Sequence, residues 1–177
     1  MNEYVAGMGL VSILNRNENL VGAEIGVNTG VTSEYLLKNL SIETYYCIDP
    51  WVPYDGPSAG TTHNTEELAD SHYNETLRRT EFAGDKVKIL RMGSEDALKE
   101  VPDKSLDFVF IDGDHSYDAV IKDICGWWPK VKDGKIFAGH DYSHGDVNRA
   151  LRQFFKDYFR TSVCPGPNDM WWAFKVN

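Results

Sequence analysis

Two polar clusters interrupt apolar runs in the second half of the chain. Asp112-Gly113-Asp114-His115 stops the run Leu106 to Ile111, and Gly139-His140-Asp141 stops the run Lys135 to Ala138. Asp112 and Asp141 are 29 residues apart in sequence. If they close neighbouring strands, their stems lie about 5 Å apart. Carboxylates that close repel unless one is protonated or a cation lies between them. A hard divalent ion with oxygen ligands, Mg²⁺ or a relative, is the economical reading. His140 and Asp114 stand where they can supply or support further ligands. His115 follows Asp112 by three residues. With an ordinary pKa near 6.5, it suits a base that takes a proton from a substrate hydroxyl at neutral pH. The alternative is a residue at the start of a helix that hydrogen-bonds the loop.

A second constellation lies earlier. Val21 to Ile25 is an apolar run carrying Glu24, and it opens into Gly26-Val27-Asn28-Thr29-Gly30. A strand, a glycine turn and a helix form the opening unit of a doubly wound nucleotide-binding sheet. The spacing is Glu-x-Gly-x-x-x-Gly, whereas the dinucleotide fingerprint would be Gly-x-Gly-x-x-Gly. Asp49 closes the next apolar run, 25 residues after Glu24, where an acid can accept both hydroxyls of a ribose. A carboxylate on the first strand repels a pyrophosphate and suits a cationic ligand. Trp51 either covers an adenine face or packs in the core. His63, His72 and His144 have no partner at metal spacing and read as surface residues.

The elements that must position these groups alternate in short apolar runs and helical periods, the pattern of βαβ units and a mostly parallel sheet. The spacing predicts strands at Val21–Ile25, Thr44–Ile48, Lys86–Arg91, Leu106–Ile111 and Lys135–Ala138. It predicts helices at Val31–Leu40, Glu66–Phe82, Ser94–Glu100, Tyr117–Trp128 and Val147–Phe159, after a short amphipathic helix within residues 1–19. Tyr117, Val120, Ile121, Ile124, Cys125 and Trp128 form one apolar stripe of the fourth of these helices. Thr161–Cys164 and Met170–Val176 read as an edge hairpin. Residues 52–64, rich in Pro, Gly, Ser and Thr, suggest a lid or binding loop. Glu24, Asp49, Ser94, Asp112 and Asp141 all fall where apolar runs stop. Parallel strands share one carboxyl edge, where ligands bind in open α/β sheets. Each residue alone is equally a turn former or helix cap; five together point to a site.

The chain of 177 residues suits one well-buried domain, residues 1–177. Its net charge of −9 disfavours binding to a nucleic-acid backbone. No apolar run is long enough for a membrane span, and the N-terminus lacks a secretory pattern. Three widely spaced cysteines without a metal motif read as reduced, mostly buried thiols of a cytoplasmic protein.

These motifs together resemble the class I S-adenosylmethionine-dependent methyltransferases, and most of all the compact macrocin-type O-methyltransferase branch (methyltransferase family 24). The resemblance rests on Glu24–Gly30, Cys47-Ile48-Asp49-Pro50-Trp51, Phe110 to Tyr117 and Gly139-His140-Asp141-Tyr142, and spans about residues 20–145. It implies a Rossmann-like doubly wound α/β/α sandwich, mostly parallel, with strand order 3-2-1-4-5-7-6 and a C-terminal antiparallel hairpin. It implies that Glu24, Gly26, Asn28, Thr29 and Gly30 cradle the amino-acid end of S-adenosylmethionine. Asp49 would hold the ribose, and Ser94 and Glu95 would flank the adenine. Trp51 and Asp112 complete the cofactor set. Asp112 and Asp141, with His140, would bind Mg²⁺, and His115 would be the base beside Asp112.

The chain departs from the family at His140, where macrocin-type relatives have an acid, and at Tyr142, where catechol-type enzymes place an amide. The expected activity is methylation of a hydroxyl on a small molecule or sugar, with neither nucleic acid nor membrane as partner. The short N-terminal region leaves the substrate cover absent or supplied by a second subunit in a homodimer. The competing readings are a metal-free methyltransferase of another acceptor and a non-catalytic adenosylmethionine-binding module. A third, an NAD-dependent oxidoreductase, is disfavoured by the glycine spacing.

Overall fold

The computed structural model describes residues 6–14, 19–54, 64–159 and 162–176, with the backbone alone for 157–159. Seven strands form one sheet: β1 (Leu20–Ile25), β2 (Ile42–Ile48), β3 (Val87–Leu90), β4 (Leu106–Ile111), β5 (Val131–Gly139), β6 (Cys164–Pro165) and β7 (Trp171–Phe174). Their order is β3-β2-β1-β4-β5-β7-β6, as the resemblance implies. The first five are parallel, and β7 runs antiparallel to both β5 and β6. The helices are α1 (Leu10–Ile13), α2 (Val31–Asn39), α3 (Glu66–Thr80), α4 (Ser94–Ala97), α5 (Tyr117–Trp127) and α6 (Gly145–Gln153). Of the helix expected within residues 1–19, the described part is a 3-10 turn, Ala6–Gly9, running into α1. The expected lid lies outside the described residues except for 52–54 and 64. No helix among the described residues is long and apolar enough to cross a membrane.

β4 explains why the sheet is a central layer. All six of its residues are buried, and side chains alternate between faces. Leu106, Val109 and Ile111 join one apolar cluster with Val120, Ile124, Val147 and Leu151 of α5 and α6. Phe108 and Phe110 join the other with Leu10, Leu36 and Tyr45. Apolar runs without polar alternation are what a parallel sheet covered on both faces requires.

The helix expected over Ser94–Glu100 ends at Ala97, and two others differ in their packing. The buried face of α5 carries Val120, Asp123, Ile124 and Trp127, whereas Cys125 is exposed. The stripe is therefore turned by roughly a quarter-turn towards Asp123, because that flank packs over the sheet edge beside a cavity. Of the three thiols only Cys47 is buried. Beyond Gln153 the helix widens into a π turn, Phe154–Phe159. Consecutive residues on an α-helix diverge, yet Phe154 and Phe155 both pack on Trp128, at 5.5 and 5.4 Å. The wider turn accommodates both rings.

At the amino edge of the sheet, the register of β1 shifts between Leu20 and Val21. The buried Asp107 takes up the Val21 N–H at 3.0 Å, and Lys132 Nζ stands 3.0 Å from the same carboxylate. Burial raises the Asp107 carboxyl, but the Val21 N–H and Lys132 outweigh it and hold it below the usual range. Its stabilising effect is thus present above the ordinary aspartate range and fades as pH falls through the lowered value. Asp107→Ala leaves a buried N–H and an ammonium without their partner. It should cost about 1–3 kcal/mol in urea unfolding at neutral pH with an unchanged m-value; a loss below 0.5 kcal/mol would show that water replaces the carboxylate.

Candidate active site

The strand ends align because each first residue beyond a strand bonds to the last residue of its neighbour. Gly26 N–H donates to the Ile48 carbonyl at 2.9 Å, Asp112 N–H to Ile25 at 2.8 Å, and His140 N–H to Ile111 at 3.0 Å. Polar residues from β1, β2, β4 and β5 therefore share one edge and open into a cavity of about 870 Å³. That size suits a cofactor with room beside it. Glu24, Gly26, Asn28, Thr29 and Asp49 line one end; Ser94, Glu95 and Asp123 line a second side; Asp112, His115, His140 and Asp141 line the remainder.

Glu24 lies one residue short of the end of β1 and is only 1% exposed. Its Oε2 accepts from the Ser33 hydroxyl at 2.5 Å and the Tyr45 hydroxyl at 2.8 Å. Burial dominates its titration and pushes the carboxyl up to about 8, against those two hydrogen bonds. At neutral pH the group holds a proton until a positive charge arrives to replace it. Nearby, Asn28 Oδ1 is buried with no hydrogen-bond partner. This end of the cavity therefore fits a ligand carrying a cationic hydrogen-bond donor.

Asp49 ties the first two turns together. Its Oδ2 accepts from Asn28 N–H at 2.9 Å, and its Oδ1 from Trp51 N–H at 2.8 Å. Gly26 has φ +86°, and a Cβ there would lie 2.3 Å from the Asp112 carbonyl oxygen, so the β1 and β4 turns can approach only through glycine. Two residues expected at the cofactor stand off the cavity lining. Gly30 does not line the cavity; at φ +76° it starts α2, and a Cβ would press on Thr76 of α3. Trp51 is fully buried, donates its indole N–H to the Asn28 carbonyl at 2.7 Å and packs edge-on against Tyr73. Its ring thus packs in the core.

Ser94 lines the cavity, but its hydroxyl donates to Asp123 and accepts from Trp127 Nε1 at 2.8 Å. Glu95 stands at the rim, largely exposed, with Lys122 3.2 Å away. Tyr54 donates to Asp114 Oδ2 at 2.6 Å, joining the loop after β2 to the turn after β4.

At the other end, ligand atoms of Asp112, His115 and Asp141 lie within 4.8 Å of one another. His115 Nε2 is 2.9 Å from Asp141 Oδ2 and 3.9 Å from Asp112 Oδ1. It is buried and out of line for a hydrogen bond to either. Two carboxylate oxygens and an imidazole nitrogen with no in-line partner fit a divalent cation. The expected ligand His140 is replaced in this set by His115. His140 turns Nε2 to the Asn168 carbonyl at 2.8 Å and Nδ1 to Asp141 Oδ2 at 3.0 Å, and so braces the carboxylate.

Asp112 and Asp141 push the His115 imidazole up to about 10 against the lowering effect of burial. Burial would raise Asp141, but His115 and His140 outweigh it and hold its carboxyl well below the usual range. Two carboxylates so close favour the imidazolium form of His115 over the neutral base. His144, read from sequence as a surface residue, is exposed yet stands over His115 with ring centroids 5.8 Å apart.

Sequence reasoning missed Ser33, Tyr45, Tyr54 and Asp123. For Asp123 a signal existed: it is the one acid between Val120, Ile124 and Trp127 on a helix flank that is otherwise apolar.

A family model described as a methyltransferase domain matches residues 23–142, more than half of the chain. No curated protein sequence matches it significantly. Among solved structures, a protein from Corynebacterium glutamicum is similar over 96% of this chain and 80% of its own, at 17% identity and a TM-score of 0.68. A cofactor-bound protein from MTB is similar over 99% of this chain and 83% of its own, at 16% identity and a TM-score of 0.68. The O-methyltransferase NovP is similar over 97% and 77%, at 16% identity and a TM-score of 0.67. At such identities these likenesses speak for the fold. On the family match over the segment that carries every strand-end motif, the chain belongs to the methyltransferase-domain family 24, within the class I methyltransferases.

Proposed function

We propose that the protein is an S-adenosylmethionine-dependent O-methyltransferase acting on a hydroxyl of a small molecule or sugar, with a divalent cation at Asp112, His115 and Asp141. The observation that carries this reading is one cavity with two chemically distinct ends. Glu24, Asn28 and Asp49 offer acceptors to a cationic, hydroxyl-bearing ligand, and the carboxylate–imidazole cluster faces the same space. When bound, the sulfonium cofactor supplies an electrophilic methyl group.

Glu24 and Asn28 would receive the cofactor's ammonium, with Glu24 giving up its proton. Asp49 would hold the ribose hydroxyls from a carboxylate already fixed by Asn28 and Trp51. Asp112 and Asp141 would hold the cation, whose charge favours an ionised acceptor hydroxyl. His140, bound to Asn168 and Asp141, keeps the Asp141 carboxylate from rotating. With a cation held there, its charge would favour the neutral imidazole of His115, whose Nε2 would complete the ligand set with the two acids.

Calorimetry with S-adenosylmethionine and S-adenosylhomocysteine, followed by product detection over a panel of hydroxyl compounds, tests the reading. Binding of both with turnover of a hydroxyl substrate is the expected result. Binding without turnover of any panel member would favour an adenosylmethionine-binding module, and tight NADH binding alone would overturn the assignment.

Glu24→Gln keeps acceptors for Ser33 and Tyr45 but removes the charge, so cofactor affinity at pH 8 should fall about ten- to a hundredfold. The same variant should change stability in the opposite sense. A carboxyl raised to about 8 stabilises the ligand-free fold below its unfolded value and loses that contribution as pH rises through 8. Melting curves from pH 5 to 9 should show the wild type losing ground to Glu24→Gln up to about pH 8 and levelling off above it. Parallel curves would show that Glu24 is already ionised in the ligand-free fold.

For the cation, Asp112→Asn removes a ligand itself and should lower turnover by more than the roughly 10- to 100-fold typical of an outer-shell change, and EDTA should reproduce much of that loss in the wild type. Full turnover in both would leave a metal-free methyltransferase. Histidine NMR provides a readout without activity: Mg²⁺ should bring the titration of His115 down from about 10, and an unmoved His115 resonance would remove the cation from this cluster.

A further inference from the structure

Asp123 is a further carboxyl of the cavity, and neither the family match nor the strand-end pattern gives it a role. It sits on α5, is 8% exposed, and lines the cavity. Its Oδ1 accepts from the Ser94 hydroxyl, which accepts in turn from Trp127 Nε1. Trp127 is fully buried, so this relay anchors the carboxyl to the core and fixes its rotamer. Oδ2 stands beside Gly113, 3.9 Å from where a Cβ would be. It therefore lies between the turn after β3 and the turn after β4, with no side chain of residue 113 to cover it.

A carboxyl this deeply buried needs more than one hydroxyl donor to offset its desolvation. Burial pushes Asp123 up to about 6, against the Ser94 hydrogen bond. At neutral pH it is mainly an anion and presents an acceptor to the cavity. Lys122, the basic residue among those lining this side, has a largely exposed side chain and stands 3.2 Å from Glu95 at the rim. Oδ2 is thus left to accept from a neutral N–H or O–H of a ligand in the cavity.

Resting on the cofactor reading above, we propose that Asp123 reads the nucleobase of the bound cofactor, its Oδ2 accepting from the exocyclic amino group of adenine. Ser94 and Trp127 are positioning residues that hold this acceptor in place. The arrangement selects an amino-bearing base over its keto counterpart, because a keto oxygen would meet the carboxylate acceptor to acceptor. A site built around one hydrogen bond discriminates strongly when the mismatch leaves a buried group unpaired.

The test is calorimetry on the full chain with S-adenosylhomocysteine and its deaminated form, S-inosylhomocysteine. The wild type should prefer the adenosyl compound by at least about tenfold. Asp123→Asn keeps an oxygen for Ser94 and turns an amide N–H₂ towards the base, so it should lose adenosyl affinity and gain inosyl affinity until the preference vanishes or inverts. Should that variant melt below the assay temperature, Ser94→Ala leaves the carboxylate but removes its anchor, and should reduce the preference severalfold. A wild-type preference retained in whichever variant is folded would overturn the role of Asp123 and leave the cofactor reading intact. Failure of the wild type to bind S-adenosylhomocysteine would overturn both.

Discussion

The staircase of backbone hydrogen bonds at the carboxyl edge is the constraint on which the site depends. Gly26 to Ile48, Asp112 to Ile25, and His140 to Ile111 are bonds between different strands, each made by the first residue past a strand end. They continue the parallel ladder by one step, in register with Ile25 opposite both Ile48 and Ile111 and with Ile111 opposite Gly139. Slippage of one strand by a single residue would turn its whole side-chain set to the other face. It would also move an acid out of the cavity. The same register that buries Phe108 and Phe110 on one side and Val109 and Ile111 on the other thus places Asp112 beside the β1 and β5 turns.

An acidic edge of this kind must handle repulsion, and the protein does so in two opposite ways. Glu24 is sealed away from solvent among Ser33, Tyr45 and Cys47, and the proton stays on its own oxygen. Asp141, partly open to solvent, is held ionised by His115 and His140 beside it. Ligand binding in such a site is linked to proton release, since the cation and the proton compete for the same oxygens.

Much of this was legible in the sequence because strand ends are marked by a change of composition that periodicity cannot mimic. The run Leu106 to Ile111 followed by Asp112 locates both a buried strand and the group it presents. The row of Glu24, Asp49, Ser94, Asp112 and Asp141 likewise marks the correct edge. What sequence cannot carry is the direction of a side chain after the chain has turned. His140 and His115 are both near the carboxylates in sequence, yet the pull of the Asn168 carbonyl from the β6–β7 turn decides which joins the cluster. Trp51 follows Asp49 by two residues in either reading, and only the Asn28 carbonyl and Tyr73 draw its ring inward. The tilt of α5 towards Asp123 depends on a contact with Ser94, 29 residues away. These are long-range hydrogen bonds, invisible to local pattern.

The backbone conformation at the edge shows what those long-range bonds hold in place. Asn28, Trp51 and Asp141 are non-glycine residues with φ of 55°, 43° and 56°, in the left-handed region that L residues avoid. Each lies just past the end of a parallel strand. Such residues cost on the order of 1–3 kcal/mol each and persist where surrounding contacts over-determine them. At Trp51 the contacts are the Asp49 carboxylate on its N–H and the Asn28 carbonyl on its indole; at Asn28, the same carboxylate on its N–H. Asp49 thereby braces two left-handed turns with one side chain while its carboxylate faces the cavity. The strain and the ligand site share a residue, so Asp49 cannot be replaced by a side chain lacking two acceptor oxygens without loosening both turns. The acid that would meet the ribose is the same one that sets the shape of the pocket around it.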